Sequence, residues 1–262
     1  MRTIIVIPAY NESERLPPYA KEIYQTFNGF SEVCFQVVDD GSEAEHQSLV
    51  NRAISELSPV FLPPLILGKN LGKGGAIRSA WNHVIENTSA QWLGFVDADG
   101  AISAGEVRRL CDKISTEDRI DAVFSSRIKM LGKTVQRNWR RHLAGRMFAT
   151  IIGATICDKV YDTQCGFKLI KRSVWEALSA SVTESGFAFD VDLLCGLLHN
   201  NATVMEEPID WIDIPGSKVS LLSDSLKILQ ATLRIRKRWE QQPDADFEQA
   251  SDKPAVPAAA KR

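Results

Sequence analysis

Runs of β-branched and apolar residues alternate with helical patterns along the first half of this chain, and the early runs stop at polar loops. The strand-like runs are 3–7 (TIIVI), 33–38 (VCFQVV), 64–67 (PLIL), 92–96 (WLGFV) and 121–125 (DAVFS). Helical spacing falls between them, at about 13–28, 44–57, 73–87 and 104–118. In 73–87, Ala76, Ile77, Ala80, Trp81, Val84 and Ile85 share one face. Apolar strands alternating with amphipathic helices predict an α/β fold with a mainly parallel central sheet and helices on both sides. Ligands of such sheets bind beyond the carboxyl ends of the strands. Four polar loops fall there: PAYNE (8–12), DDGS (39–42), NLGKGG (70–75) and DADG (97–100). Their convergence on one edge predicts a site.

The second half is less regular. It predicts a helix over 136–157, then DTQCGFKLI (162–170), a helix from about 171, GFAFDVDLLCGLL (186–198) and a last helix over about 220–239. Residues 1–239 read as one domain, and the apolar-poor stretch 240–262 as a disordered tail.

Composition narrows the partners. A chain of 262 residues, 44% hydrophobic and 24% charged, can bury a sizeable core. A formal net charge of -2 gives no global basic field for nucleic acid. Five scattered cysteines without a CxxC pair suggest reduced thiols in the cytoplasm. MRTIIVIPAYNE reads as a first strand and not as a signal peptide. No apolar run reaches the roughly 18 residues of a membrane span. LAGRMFATIIGATIC (143–157) is shorter and carries Arg146, so it reads as a buried or interfacial helix. The expectation is a cytoplasmic protein, soluble or peripheral on the membrane.

Asp97 and Asp99 follow the apolar run of 92–96. Side chains two residues apart in extended chain point the same way, so both carboxylates can face one point. At about 4 Å and an effective dielectric near 20 they repel by roughly 4 kcal/mol. A divalent cation reverses that sign, and hard oxygen ligands suit Mg²⁺ or Mn²⁺ shared with phosphate oxygens. The plainer alternative is a polar turn. GKGG (72–75) opens a helix with free N–H groups, and Lys73 adds a mobile charge, which together can cradle an anion. It is not a Walker loop, since GxxxxGK[ST] is absent. Asp39 and Asp40 could accept from a base or a ribose, or simply close a turn before Gly41. Tyr10 offers an aromatic face, and Glu12 could touch ligand or cap the next helix. The four histidines avoid all these loops, so neither a zinc site nor a catalytic triad is expected. Cys165 reads as a packing residue, because no histidine accompanies it.

PAYNE, VVDDGS, NLGKGGAIRSA and FVDADG, in this order, resemble family 2 glycosyltransferases of the GT-A fold. SSR (125–127), QRNWRR (136–141), DTQCGFKL (162–169), FAFDVDLL (187–194) and EEPIDWIDIPGSK (206–218) resemble the dolichyl-phosphate β-glucosyltransferases and their bacterial polyprenyl-phosphate relatives. The match covers about residues 3 to 236. It implies a nucleotide-sugar-binding half, 1–126, and an acceptor-binding half, 127–239. Pro8, Tyr10 and Glu12 would line the nucleotide pocket, and Asp39 and Asp40 would hold base or ribose. Lys73 would approach the diphosphate. Asp97 and Asp99 would engage the ribose and a diphosphate bound through Mg²⁺ or Mn²⁺. Arg127 and Arg137 would bind phosphate, Gln164 would lie by the donor sugar, and Asp190 near the attacking group. The catalytic set implied is Asp190, Asp99 and Arg127.

The sequence departs from the family pattern at Asp192, where Glu is usual, and at Glu45, where Asp is common. Eukaryotic members carry an N-terminal membrane anchor, which this sequence is expected to lack. The implied reaction is inverting transfer of a hexose, glucose from UDP-glucose, to a polyprenyl or dolichyl phosphate. GDP-mannose, a saccharide or another hydroxyl acceptor, and a non-catalytic nucleotide-sugar-binding protein are the alternatives. A dinucleotide dehydrogenase is disfavoured, as GxGxxG is missing after the first strand. Arg140 and Arg141 add to a basic acceptor side or to a solvated helix face. Leu222, Leu226, Leu229 and Leu233, followed by Arg234, Arg236, Lys237 and Arg238, could lie on an anionic membrane or pack on the core.

Overall fold

A computed structural model of the chain describes residues 2–117, 119–136, 160–215 and 223–242. Of the helix expected over 136–157, Gln136 is instead the end of a short strand, and the rest, with Arg137, Arg140 and Arg141, lies outside the described residues, as does the stretch from 243 onward.

The strands are β1 (Thr3–Ala9), β2 (Val33–Asp39), β3 (Leu65–Ile66), β4 (Trp92–Val96), β5 (Ala122–Ser126), β6 (Val135–Gln136), β7 (Phe167–Lys171), β8 (Val204–Pro208) and β9 (Trp211–Ile212). The described helices are α1 (Leu16–Phe27), α2 (Ala44–Ser55), α3 (Gly72–Asn87), α4 (Ala104–Ile114), α5 (Arg172–Leu178), α6 (Phe189–His199) and α7 (Ser223–Glu240). Seven strands form the main sheet in the order β3-β2-β1-β4-β7-β5-β8, and β6 pairs with β9 apart from it. All neighbours are parallel except β7, which runs against β4 and β5.

β1 shows why its residues must be apolar on both sides. Ile4 and Val6 face one core, and Ile5 and Ile7 face the other. The first core takes α3, α5, α6 and α7; the second takes α1, α2 and α4. Burial on both faces is what a parallel sheet requires and what a continuous apolar run supplies. Trp81 of α3 is fully buried and donates its indole N–H to the Gly94 carbonyl at 2.9 Å. Trp175 and Phe189 meet its ring edge-on.

Two features of this topology position a site. The chain builds β1, β2 and β3 outward in one direction, then returns to place β4 on the other side of β1. A crevice opens at such a reversal, at the carboxyl ends of β1 and β4. Because β7 is antiparallel, its first residue, Phe167, pairs with the last residue of β4, Val96. The segment Asp162–Gly166 is thereby delivered to the edge where Asp97 leaves β4, and the Asp97 N–H donates to the Gly166 carbonyl at 2.9 Å.

α7 does not pack through Leu233. Ile228, Ala231, Thr232, Ile235 and Trp239 are buried, while Leu233 is 55% exposed beside exposed Arg234, Arg236 and Lys237. No described helix is long and apolar enough to cross a membrane.

Candidate active site

Alternating charges run across the crevice. Lys73, in the first turn of α3, places Nζ 2.7 Å from Asp97 Oδ1 and 3.8 Å from Asp190 Oδ2. Lys168 of β7 places Nζ 2.6 Å from Asp190 Oδ1 and donates to the Cys165 carbonyl at 2.8 Å. Asp190 sits in the first turn of α6, where the helix dipole favours an anion, and is 1% exposed. Each lysine also lies against the Phe95 ring, at 4.9 Å for Lys73 and 5.2 Å for Lys168. Burial works to neutralise Lys73, but Asp97 and Asp190 outweigh it and hold the ammonium above its ordinary range.

Asp99 accepts the Ala101 N–H at 3.0 Å. Burial, and then the neighbouring Asp97, push its carboxyl above the usual range. Arg15, whose guanidinium grips Glu12 bidentately at 2.8 and 2.5 Å, also feels both aspartates; burial opposes its charge, and Glu12, Asp99 and Asp97 restore it.

The nucleotide-side residues are distributed around this chain of charges. Pro8 ends near the carboxyl edge of β1, and Tyr10 is 42% exposed just beyond it. Asp39 and Asp40 are buried at the end of β2. Asp39 accepts the Ser42 N–H at 2.9 Å, closing the turn through Gly41. Asp40 accepts the N–H groups of Leu71 and Gly72 at 2.7 and 2.9 Å, tying β2 to the start of α3. Gln164 has a buried amide nitrogen that finds no hydrogen-bond partner among the described residues.

Arg127, at the exit of β5, is forked onto Asp162 at 2.6 and 2.8 Å and lies 5.5 Å from the Trp211 ring. Burial alone raises the Asp162 carboxyl, but the Arg127 charge and hydrogen bonds bring it down to about 2. A folded-state value below the unfolded one, about 3.9, stabilises the fold fully above that unfolded value. The contribution is then lost as pH falls through about 2. It is on the order of 2 kcal/mol. Urea melts at pH 5 and pH 3 are expected to show about half of this loss in the wild type and a flatter acid limb in Asp162→Asn.

Lys168, Arg15, Asp162 and Gly166 received no role from the sequence. A signal for Lys168 was present: a lysine inside the apolar run FKLI must find a buried anion. FDVD is the apolar run that supplies one.

An open α/β sheet with this topological reversal and a charged crevice at its strand ends has the GT-A architecture. The family model for glycosyl transferase family 2 matches residues 4–178, and the chain belongs to that family. It is 30% identical over 247 residues to the dolichyl-phosphate beta-glucosyltransferase of Dictyostelium discoideum, covering 90% of this chain and 74% of that one. The human protein of the same name is 28% identical, covering 90% and 75%. Among solved structures, glucosyl-3-phosphoglycerate synthase from Mycobacterium tuberculosis, crystallised with uridine diphosphate, superposes with a TM-score of 0.65. That match has 15% identity and covers 91% of this chain and 80% of that one, which shows the shared fold. The same synthase has also been crystallised with Mn²⁺, uridine diphosphate and glucosyl-3-phosphoglycerate.

Proposed function

We propose that this glycosyltransferase moves glucose from UDP-glucose to a polyprenyl or dolichyl phosphate, with inversion at the anomeric carbon. The names of the relatives support the sugar and the acceptor, and the fold neighbour supports the nucleotide. The observation that carries the acceptor class is the setting of Asp190. Both of its oxygens face ammonium groups, Lys168 on one side and Lys73 on the other, within a buried pocket. A base for a hydroxyl acceptor needs an oxygen turned toward the incoming proton. A phosphate monoester, with a second pKa of about 6, brings an oxygen already anionic at neutral pH.

The donor set fits a divalent cation shared with ligand. Asp97 and Asp99 offer carboxylates two residues apart, and Asp99 is raised by burial and then by the Asp97 charge. No group of three or more His, Cys, Asp or Glu side chains converges among the described residues, so diphosphate oxygens and water would complete the shell. Mg²⁺ or Mn²⁺ held there by Asp97 and Asp99 would supply positive charge at the leaving diphosphate.

The chain's own residues do the rest. Lys73 leaves Asp97 for the diphosphate as charge develops on the leaving oxygen. The acceptor oxygen forms the new bond to the anomeric carbon, and the nucleoside diphosphate departs with the electron pair. Asp190, fixed by Lys168, positions sugar or acceptor. Gln164 offers its unsatisfied amide donor to the sugar, and Pro8, Tyr10 and Glu12 frame the nucleotide. Asp39 and Asp40 shape the loop around base and ribose. Arg127 receives phosphate, a role the resemblance also implies for Arg137, which lies outside the described residues. The exposed cations of α7 suit work at the anionic cytoplasmic face of a membrane.

The test is nucleoside diphosphate release from UDP-glucose and GDP-mannose, each with polyprenyl phosphate, polyprenol or a saccharide, in Mg²⁺ or Mn²⁺. Release is expected from UDP-glucose with the phosphate alone. Asp190→Asn should cost less than the roughly 10²–10⁴-fold that follows loss of a general base. Its rate should still rise with pH near 6, because that titration belongs to the acceptor. A larger loss, with that pH dependence gone, makes Asp190 the base and defeats the lipid-phosphate reading.

A further inference from the structure

We infer that Asp192 and the last turns of α7 form a positioning device that fixes the first turn of α3, and with it Lys73. This deepens the proposed function, since it concerns the cation assigned to the leaving group. Asp190 and Asp192 occupy the same turn of α6 but serve different partners. Asp192 is 0% exposed, and it accepts from Thr183, Glu184, Arg238 and Trp239. Its Oδ2 accepts the N–H groups of Thr183 and Glu184 at 2.8 and 3.0 Å. Its Oδ1 accepts the indole N–H of Trp239 at 2.8 Å and a guanidinium N–H of Arg238. One carboxylate thus joins α7 to the segment 183–186.

That segment is in turn pressed against α3. The Gly75 N–H donates to the Ser185 carbonyl at 2.9 Å, and Arg78 donates to the Thr183 carbonyl at 2.8 Å. The glycines before and after Lys73 permit the approach. A Cβ on Gly72 would stand 2.7 Å from the Ser185 oxygen, and one on Gly74 would stand 2.4 Å from the Phe189 Cβ and 2.8 Å from the Glu184 oxygen. The GKGG turn is therefore a mating surface for backbone as well as a source of N–H groups. Held between these contacts, Lys73 has its backbone placed by 183–186, and 183–186 has its place from Asp192. From the other side, Arg238 also donates to Thr183 Oγ1, and Arg234 approaches Glu184 at 3.8 Å.

A carboxylate that only fastened helices would affect stability and leave the site's geometry alone; a positioning residue affects both. Trp239→Phe removes the indole N–H donor and shrinks the ring, so its kcat and Lys73 protection, not its melting temperature, carry the reading; Asp192→Asn removes the charge. Asp192→Glu keeps the carboxylate as a rescue. In the full chain, the first two variants should lower kcat by about 10- to 100-fold, the scale of small misplacements remote from the chemistry. The donor KM should stay within about twofold of wild type, because the loss is in the aligned cation and not in donor binding. Asp192→Glu should recover most of the rate.

A second readout needs no turnover. Lys73 should acylate faster with an amine-reactive ester, and amide exchange at Gly72–Ala76 should accelerate, while Lys168 stays protected. Should Asp192→Asn fail to fold, Trp239→Phe alone decides. Lowered melting temperature with unchanged kcat and unchanged Lys73 protection would overturn the inference. Absence of turnover in the wild type would count against the proposed substrates, and the acylation and exchange results would still decide the role of Asp192.

Discussion

Lys73→Met is expected to lower kcat by roughly 10²–10³-fold, the scale set by removing one preorganised charge-stabilising group from a transition state. Lys73 lies at the head of α3 with its side chain 13% exposed and two aspartates in reach. Methionine matches its length, so the cavity stays filled and the loss is one of charge. Two consequences separate this from general damage. Asp97 loses its ammonium partner, so Mn²⁺ should half-saturate the variant at lower concentration than the wild type. The buried Asp190 keeps its nearer partner, Lys168 at 2.6 Å, so the fold should lose less than the roughly 3–5 kcal/mol of a buried charge left unpaired. Steady-state rates at saturating donor, manganese titrations and urea melts read the three effects. Activity within a few-fold of wild type would remove Lys73 from the leaving-group side of the reaction.

Gly166→Ala should be as damaging to turnover and far milder to the fold. A Cβ at Gly166 would stand 2.2 Å from Asp97 Oδ2 and 2.7 Å from its Cγ. The backbone there cannot retreat, because the Gly166 carbonyl holds the Asp97 N–H. The carboxylate is a side-chain end and is partly exposed, so it swings aside at a cost of about 1 kcal/mol. It then leaves Lys73. A displacement of this size should lower kcat/KM for the donor by about 10²-fold. Gly74→Ala is the contrast. Its Cβ would meet the Phe189 Cβ and the Glu184 backbone oxygen, neither of which can step away. There stability should fall with activity. Equal melting losses in the two variants would contradict the distinction.

How far the sequence foretells these geometries depends on the range of the interaction. β1, β2, β4 and β5 lie within two residues of their expected limits, because each is a buried run with a polar stop. α3 begins one residue earlier than its pattern, at Gly72. The four polar loops fall at strand ends as their position after apolar runs implied. The antiparallel sense of β7 was hidden, since FKLI carries no mark of direction and its partners, β4 and β5, are set by distant pairing. The Lys168–Asp190 pair was hidden for the same reason: its members stand 22 positions apart in sequence and meet only when α6 packs beneath the sheet. On α7 the leucines suggested a stripe, but Ile228, Ile235 and Trp239 take the core and leave Leu233 outside. Helical spacing proposes several faces, and only the partner surface selects one.

The reversed direction of β7 also bears on how such enzymes diversify. β5 finishes and β7 begins at the same rim of the sheet, so the chain between Ser126 and Phe167 departs from and comes back to one place. Closing an excursion of this kind costs little more as it lengthens, about 0.6 kcal/mol per doubling. Insertions and deletions within it leave the pairing of the seven-stranded sheet untouched. The length of that excursion can therefore change while the strands that frame the crevice keep their register.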